Sequence, residues 1–130
     1  MAGIGDDRYL DIDLGTGQVQ RKTLDARDRD LYVGGRGLGA RLLYDNTPAG
    51  VDPFDERMAL IFSVGPFTGT GIPQSNRFVV TTRSPSTGGL ADSHCGGSFA
   101  TKLKKAGFAA VIVRGRSPEP PGPPAGPLVA

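Results

Sequence analysis

The chain has one cysteine and one histidine in 130 residues. A single thiol excludes a disulfide framework within the chain and any multi-cysteine metal centre. No apolar run approaches the roughly 20 residues that a membrane-spanning helix needs. Positive charge is not concentrated either: 15 Lys and Arg stand against 13 Asp and Glu, a net charge of +2. Nucleic-acid binding leaves clustered Lys/Arg with interleaved aromatics, and that footprint is missing. The start, MAGIGDDRYL, lacks the basic-then-apolar design of a signal peptide, so the expected location is the cytoplasm.

Glycine is what the chain has in excess. Its 20 glycines are roughly twice the average share. They fall in clusters through the middle of the chain, whereas most of the 11 prolines crowd its end. The length suits one domain with a real hydrophobic core. We expect that domain over residues 1–116. From Ser117 on, SPEPPGPPAGPLVA cannot build a core and reads as a disordered tail over 117–130.

YLDIDL alternates, with Leu10, Ile12 and Leu14 on one face and Tyr9, Asp11 and Asp13 on the other, so it reads as a half-buried strand. The turn Gly15–Gly17 and the strand QVQRKTL complete a β-hairpin. DARDRDLYV predicts a short helical turn capped by Asp25 or Asp28. A helix is expected over Gly37–Asp45, stopped by Asn46-Thr47-Pro48. MALIFSV, a continuous apolar run, predicts a strand covered on both faces. GPFTGTGIPQS is a long glycine loop, RFVVTT a strand, and RSPSTGGLADSHCGG a second long loop. SFATKLKKAGF is an amphipathic helix stopped by Gly107, and AAVIVRG a last strand. The class is α+β: a mixed sheet that opens with a hairpin and carries two short helices.

Several motifs suggest chemistry. GRGLGA, Gly35 to Ala40, formally fits a dinucleotide fingerprint. That mechanism needs a buried strand before it and an acid ending a second strand about 20 residues on. Only DLYV precedes it, and Asp52 and Asp55 lie in a loop, so close packing at a helix entry explains the glycines better. A P-loop fails for want of a Gly-Lys-Ser/Thr sequence. SHCGGSF puts His94 beside Cys95. Neighbours in extended chain point to opposite sides, so His94 is badly placed to activate the thiol. One His and one Cys are too few for zinc. The bare amides of Gly96 and Gly97 before a helix suit an anion such as phosphate, and plain helix capping explains them equally well. The loop GPFTGTGIPQSNR ends in Arg77, which also suits a phosphorylated ligand.

The stretches VGGRGLGARLLYD, GVDPFDERMALIFSVGPFTGTGIPQSNRFVVTTRSPSTGG and DSHCGGSFATKLKKAGFAAVIVRGRS resemble the N-terminal domain of the aldehyde:ferredoxin oxidoreductase family, the tungsten- or molybdenum-pterin enzymes. The hairpin YLDIDLGTGQVQ fits the family's opening, and the likeness runs from about Tyr9 to Ser117. The resemblance implies a large mixed sheet serving as a base for two metal-bound pterins bridged by magnesium. It implies that Arg77 lies between pterin and iron–sulfur cluster. It puts His94 where the family has an asparagine that touches the pterin phosphates and gives its main-chain carbonyl to the magnesium. Gly96 matches the glycine whose backbone meets the cofactor. The implied activity is oxidation of an aldehyde to a carboxylic acid, with electrons passing through a [4Fe–4S] cluster to ferredoxin.

Further Gly/Arg segments, the cluster's four cysteines and the active-site acids belong to parts of the family fold outside this chain. The chain alone is therefore expected to be inactive, with no catalytic residue of its own. The expected alternatives are a fragment, a truncated gene product ending in Pro-rich sequence, or a subunit that needs a complementary chain; a homo-oligomer is the expected assembly. The alternative is a non-catalytic remnant that binds a phosphorylated ligand or dimerises.

Overall fold

A computed structural model describes residues 8–119. Residues 120–130, most of the expected Pro/Gly-rich tail, lie outside the described residues. Six strands and three helices follow one another as β1 (Arg8–Asp13), β2 (Gln18–Thr23), α1 (Ala26–Tyr32), α2 (Gly35–Asn46), β3 (Leu60–Val64), β4 (Phe78–Arg83), β5 (Leu90–Cys95), α3 (Phe99–Lys105) and β6 (Ala110–Arg114). They form one mixed sheet in the order β2-β1-β6-β3-β4-β5. Only β1 and β6 run parallel. The α+β expectation holds.

The hairpin is set by local chemistry. Asp13 Oδ1 accepts from the N–H of Gly15 at 2.8 Å, and Gly17 takes a φ of +71° that favours glycine. Asp25, one of the two expected caps, accepts from the N–H of Arg27 at 2.7 Å and starts α1. What reads from sequence as a helical turn is thus a full short helix, the third of the fold. Helix α2 begins two residues before the expected Gly37. Gly107, at φ +90°, ends the α3 segment by bonding back to the carbonyl of Lys104.

Two expectations need correction. The second long loop contains a strand: Leu90–Cys95 pairs antiparallel with β4 from Arg83↔Leu90 to Phe78↔Cys95. A tight turn over Ser84–Gly89 makes this possible, with the Ser84 N–H donating to the Gly89 carbonyl at 2.8 Å. LADSHC shows no apolar alternation because it is an edge strand, held by main-chain bonds rather than by burial. The second correction concerns β3. It is an inner strand, but its second face is sealed only at the Val64 end, beside α3. Ile61 and Ser63 are fully buried under α2, while Leu60 and Phe62 on the other face are half-buried.

The main core lies between the sheet and α2, built from Leu38, Leu42 and Leu43 of the helix against Ile61, Ala110 and Ile112. Gly39 permits the close approach, since a Cβ there would stand 2.5 Å from Thr81 Oγ1. On β1 it is the polar face that turns into this core. Asp11 is 3% exposed. Lys22 and Arg114 both bond its Oδ2, which offsets the cost of burying the charge. A smaller cluster of Val64, Ala100, Leu103 and Phe108 seats α3 on the opposite face, at one end of the sheet.

Candidate functional site

Arg77, His94 and Gly96 come together at one end of β4 and β5. The antiparallel pairing ends at Phe78↔Cys95. Arg77 is the residue just before Phe78, and Gly96 the residue just after Cys95, so the two face each other beyond the last pair. Arg77 is exposed and makes no hydrogen bond or ion pair with the described residues. Gly96 is also exposed, and a Cβ there would meet nothing within 4 Å.

His94 lies one pair further in, opposite Val79. Its Nε2 is 2.9 Å from Asp92 Oδ2. Arg36, in the first turn of α2, reaches the same oxygen with Nε at 3.0 Å and Nη2 at 2.9 Å. Burial raises the pKa of the Asp92 carboxyl, but the bonds and charges of Arg36 and His94 outweigh it and hold the group below the ordinary carboxylate range. Arg36 is a residue that sequence reading misses at this site. Its partner is 56 positions away, and only its place inside the glycine motif could have flagged it.

The start of α2 is part of the same region. Gly34 caps it without a side-chain bond, and its first turn holds no acid. Its first N–H groups have no intrahelical acceptor, as at any helix start. A Cβ at Gly35 would touch Val79, two residues after Arg77. The region is therefore rich in donors, with Asp92 as the acid between Arg36 and His94. That donor set suits an anionic, phosphate-bearing group better than a bare metal ion. Among the described residues no group of three or more His, Cys, Asp or Glu side chains is placed to hold a metal.

Cys95 is exposed, and its thiol lies 3.4 Å from the Gly96 carbonyl. Strand alternation sends it to the face opposite His94, so the two side chains do not form a nucleophile pair. The glycines of α2 and its cap act in packing: Gly39 lies against Thr81 and Ser63, and the capping Gly34 against the Val64 carbonyl. Among the described residues no helix is long and apolar enough to cross a membrane.

Comparison with known proteins gives this geometry a family. Residues 9–121 match the model for the aldehyde ferredoxin oxidoreductase N-terminal domain. The tungsten-containing aldehyde ferredoxin oxidoreductase of Pyrococcus horikoshii is 36% identical over 113 residues, which cover 87% of this chain and 19% of the relative. The corresponding Pyrococcus furiosus protein is 35% identical over the same span. Among solved structures, the active site complex BamBC of benzoyl coenzyme A reductase superimposes with a TM-score of 0.85 at 41% identity. The match covers 90% of this chain and 18% of that one. The chain thus spans about a fifth of the length of these relatives. Match, fold and identity agree, and the chain belongs to the aldehyde ferredoxin oxidoreductase family, within whose N-terminal domain its residues 9–121 fall.

Proposed function

We propose that this domain forms one wall of the binding site for a tungsten- or molybdenum-bound pterin, in an oxidoreductase that converts an aldehyde to a carboxylic acid. The observation that carries this reading is Arg77, exposed and without a partner among the described residues, facing the bare backbone of Gly96. A guanidinium fork next to open main-chain donors suits a pterin phosphate. In this reading Arg77 orients the cofactor, Gly96 lets it approach the backbone, and the main-chain carbonyl of His94 is offered to a bridging magnesium. Asp92 and Arg36 fix the His94 ring and so hold that turn of chain in place. When bound, the metal-pterin supplies the redox chemistry, and the protein supplies orientation and electrostatics.

The relay to ferredoxin belongs outside this chain. A [4Fe–4S] cluster takes four protein ligands, and Cys95 is a single thiol. We place the cluster, the substrate pocket and the second wall of the pterin site on a complementary polypeptide, in a cytoplasmic homo-oligomer. The test is to express the chain in cells that make the metal-pterin and are given tungstate. Pterin and tungsten are then measured on the purified protein. Retained pterin is expected, without aldehyde-dependent dye reduction by the chain alone. Absence of pterin both from the chain and from its complex with the remaining family polypeptide would sink the proposal.

A further inference from the structure

The uncovered face of the sheet is apolar where a solvated face is expected. A sheet with one solvated face shows polar residues outward and apolar residues inward. Here the sealed, helix-covered side carries Asp11, Ser63 and Thr81 among Ile61, Ala110 and Ile112, each 3% exposed or less. Leu10, Val111, Phe62 and Val80 form a cross-strand row on the other side. Ile12, Val113 and Leu60 form a second row beside it. All seven are only half-buried, although they sit on the four inner strands β1, β6, β3 and β4. The one charge in register with these rows is Arg21, opposite Leu10 on the edge strand β2. Helix α3 covers only one end of this face. There Phe99 packs edge-on to Phe78 with ring centroids 4.8 Å apart, and Phe99 itself stays 43% exposed.

We propose that this open face is the seat of the rest of the family polypeptide. The occupant is an uncharged apolar surface from the part of the family fold that this chain does not span. The inference rests on the reading above that a complementary polypeptide completes the site, and it names where that polypeptide attaches. Two observations select this occupant. The relatives are about five times as long as the matched segment, so most of the fold remains to be joined to it. The face is also small. Four strands at ~4.8 Å spacing and about five residues at ~3.3 Å give roughly 300 Å². A stable pair of separate proteins needs about 800 Å² from each partner. A second copy seated on this face alone falls short. A larger polypeptide that also grips elsewhere, or is covalently joined, does not need the face to hold it unaided.

The test co-expresses the 130-residue chain with the Pyrococcus furiosus aldehyde ferredoxin oxidoreductase polypeptide from which the matched 113 residues are deleted. A 1:1 complex on size exclusion is expected. Val80→Lys should weaken it at least tenfold, and Val113→Thr several-fold. Tyr44→Lys, on α2 at an 80% exposed position, should leave it unchanged. Circular dichroism of each variant reads folding separately, and Val113→Thr keeps the branched shape a strand accepts. The proposal is overturned if the native chain forms no complex, or if all variants bind equally. It is also overturned if light scattering shows a homodimer of the chain that Val80→Lys dissolves. Pterin content of the same peak reports on the cofactor proposal alone, since a complex without pterin leaves the docking inference standing.

Discussion

Arg36 and His94 stand 3.4 Å apart, Nη2 to Nε2, and share a single carboxylate oxygen of Asp92. Their separation along the chain is 58 residues. The contact ties the start of α2 to the edge strand β5, next to Arg77 and Gly96. Asp92 is the member of this trio with a clear pH signature. Its folded pKa lies below the ordinary value, despite the burial that opposes this, because Arg36 and His94 favour the charged form. A depressed carboxylate contributes stability above its unfolded pKa and loses it as pH falls through the folded one. Melting temperatures of the native chain and Asp92→Asn should therefore differ near neutrality and converge in acid, below the ordinary carboxylate range. A gap that widens as pH falls would contradict the assignment.

Gly39 and Gly96 predict opposite outcomes for the same substitution. Gly39→Ala would put a Cβ 2.5 Å from Thr81 Oγ1 and 3.2 Å from Ser63 Oγ. Alanine gains about 1 kcal/mol of helix propensity, but overpacking a fixed strand–helix contact costs about 1–3 kcal/mol. We expect net destabilisation. Gly96→Ala meets nothing within 4 Å and should leave the melting temperature unchanged while weakening pterin retention. Denaturant unfolding checks both. Thr81→Val, which removes a buried hydroxyl without a partner, should stabilise by about 1 kcal/mol.

Arg77 and Arg83 separate ligand binding from fold. Arg77→Lys loses the planar fork and should weaken binding of a pterin or phosphate probe about tenfold or more, with unchanged stability. Arg83 donates to the carbonyls of Gly88 at 2.8 Å and Val51 at 2.7 Å. Arg83→Lys should therefore cost about 1 kcal/mol of stability and leave binding alone. Calorimetric titration beside thermal melts distinguishes the two. Equal losses of binding would mean that diffuse positive charge suffices.

Cys95→Ser should change stability by less than about 0.5 kcal/mol, as expected for an exposed position. Pterin retention should also persist, because the backbone rather than the thiol is proposed to meet the cofactor. Loss of binding in a Cys95→Ser variant that still folds would restore a role for thiol chemistry.

What the sequence determined by itself is the local structure and the family. The Asp13–Gly17 turn, the Asp25 cap and the Gly107 stop are short-range effects, each closed by a bond to a residue a few positions away. The apolar runs of β3, β4 and β6 announce inner strands for the same reason. The glycine loops flanking β4, with Arg77, carry the resemblance that the family match bears out. Tertiary structure alone decided three things. It made a strand of LADSHC, because an edge strand is fixed by main-chain bonds to its neighbour and needs no side-chain pattern. It turned Asp11 inward, which is tolerable only because Lys22 and Arg114 arrive from the two adjacent strands, 11 and 103 residues away. And it brought Arg36 to His94, since a contact between a helix start and an edge strand depends on how the sheet is ordered, a property that no local stretch encodes.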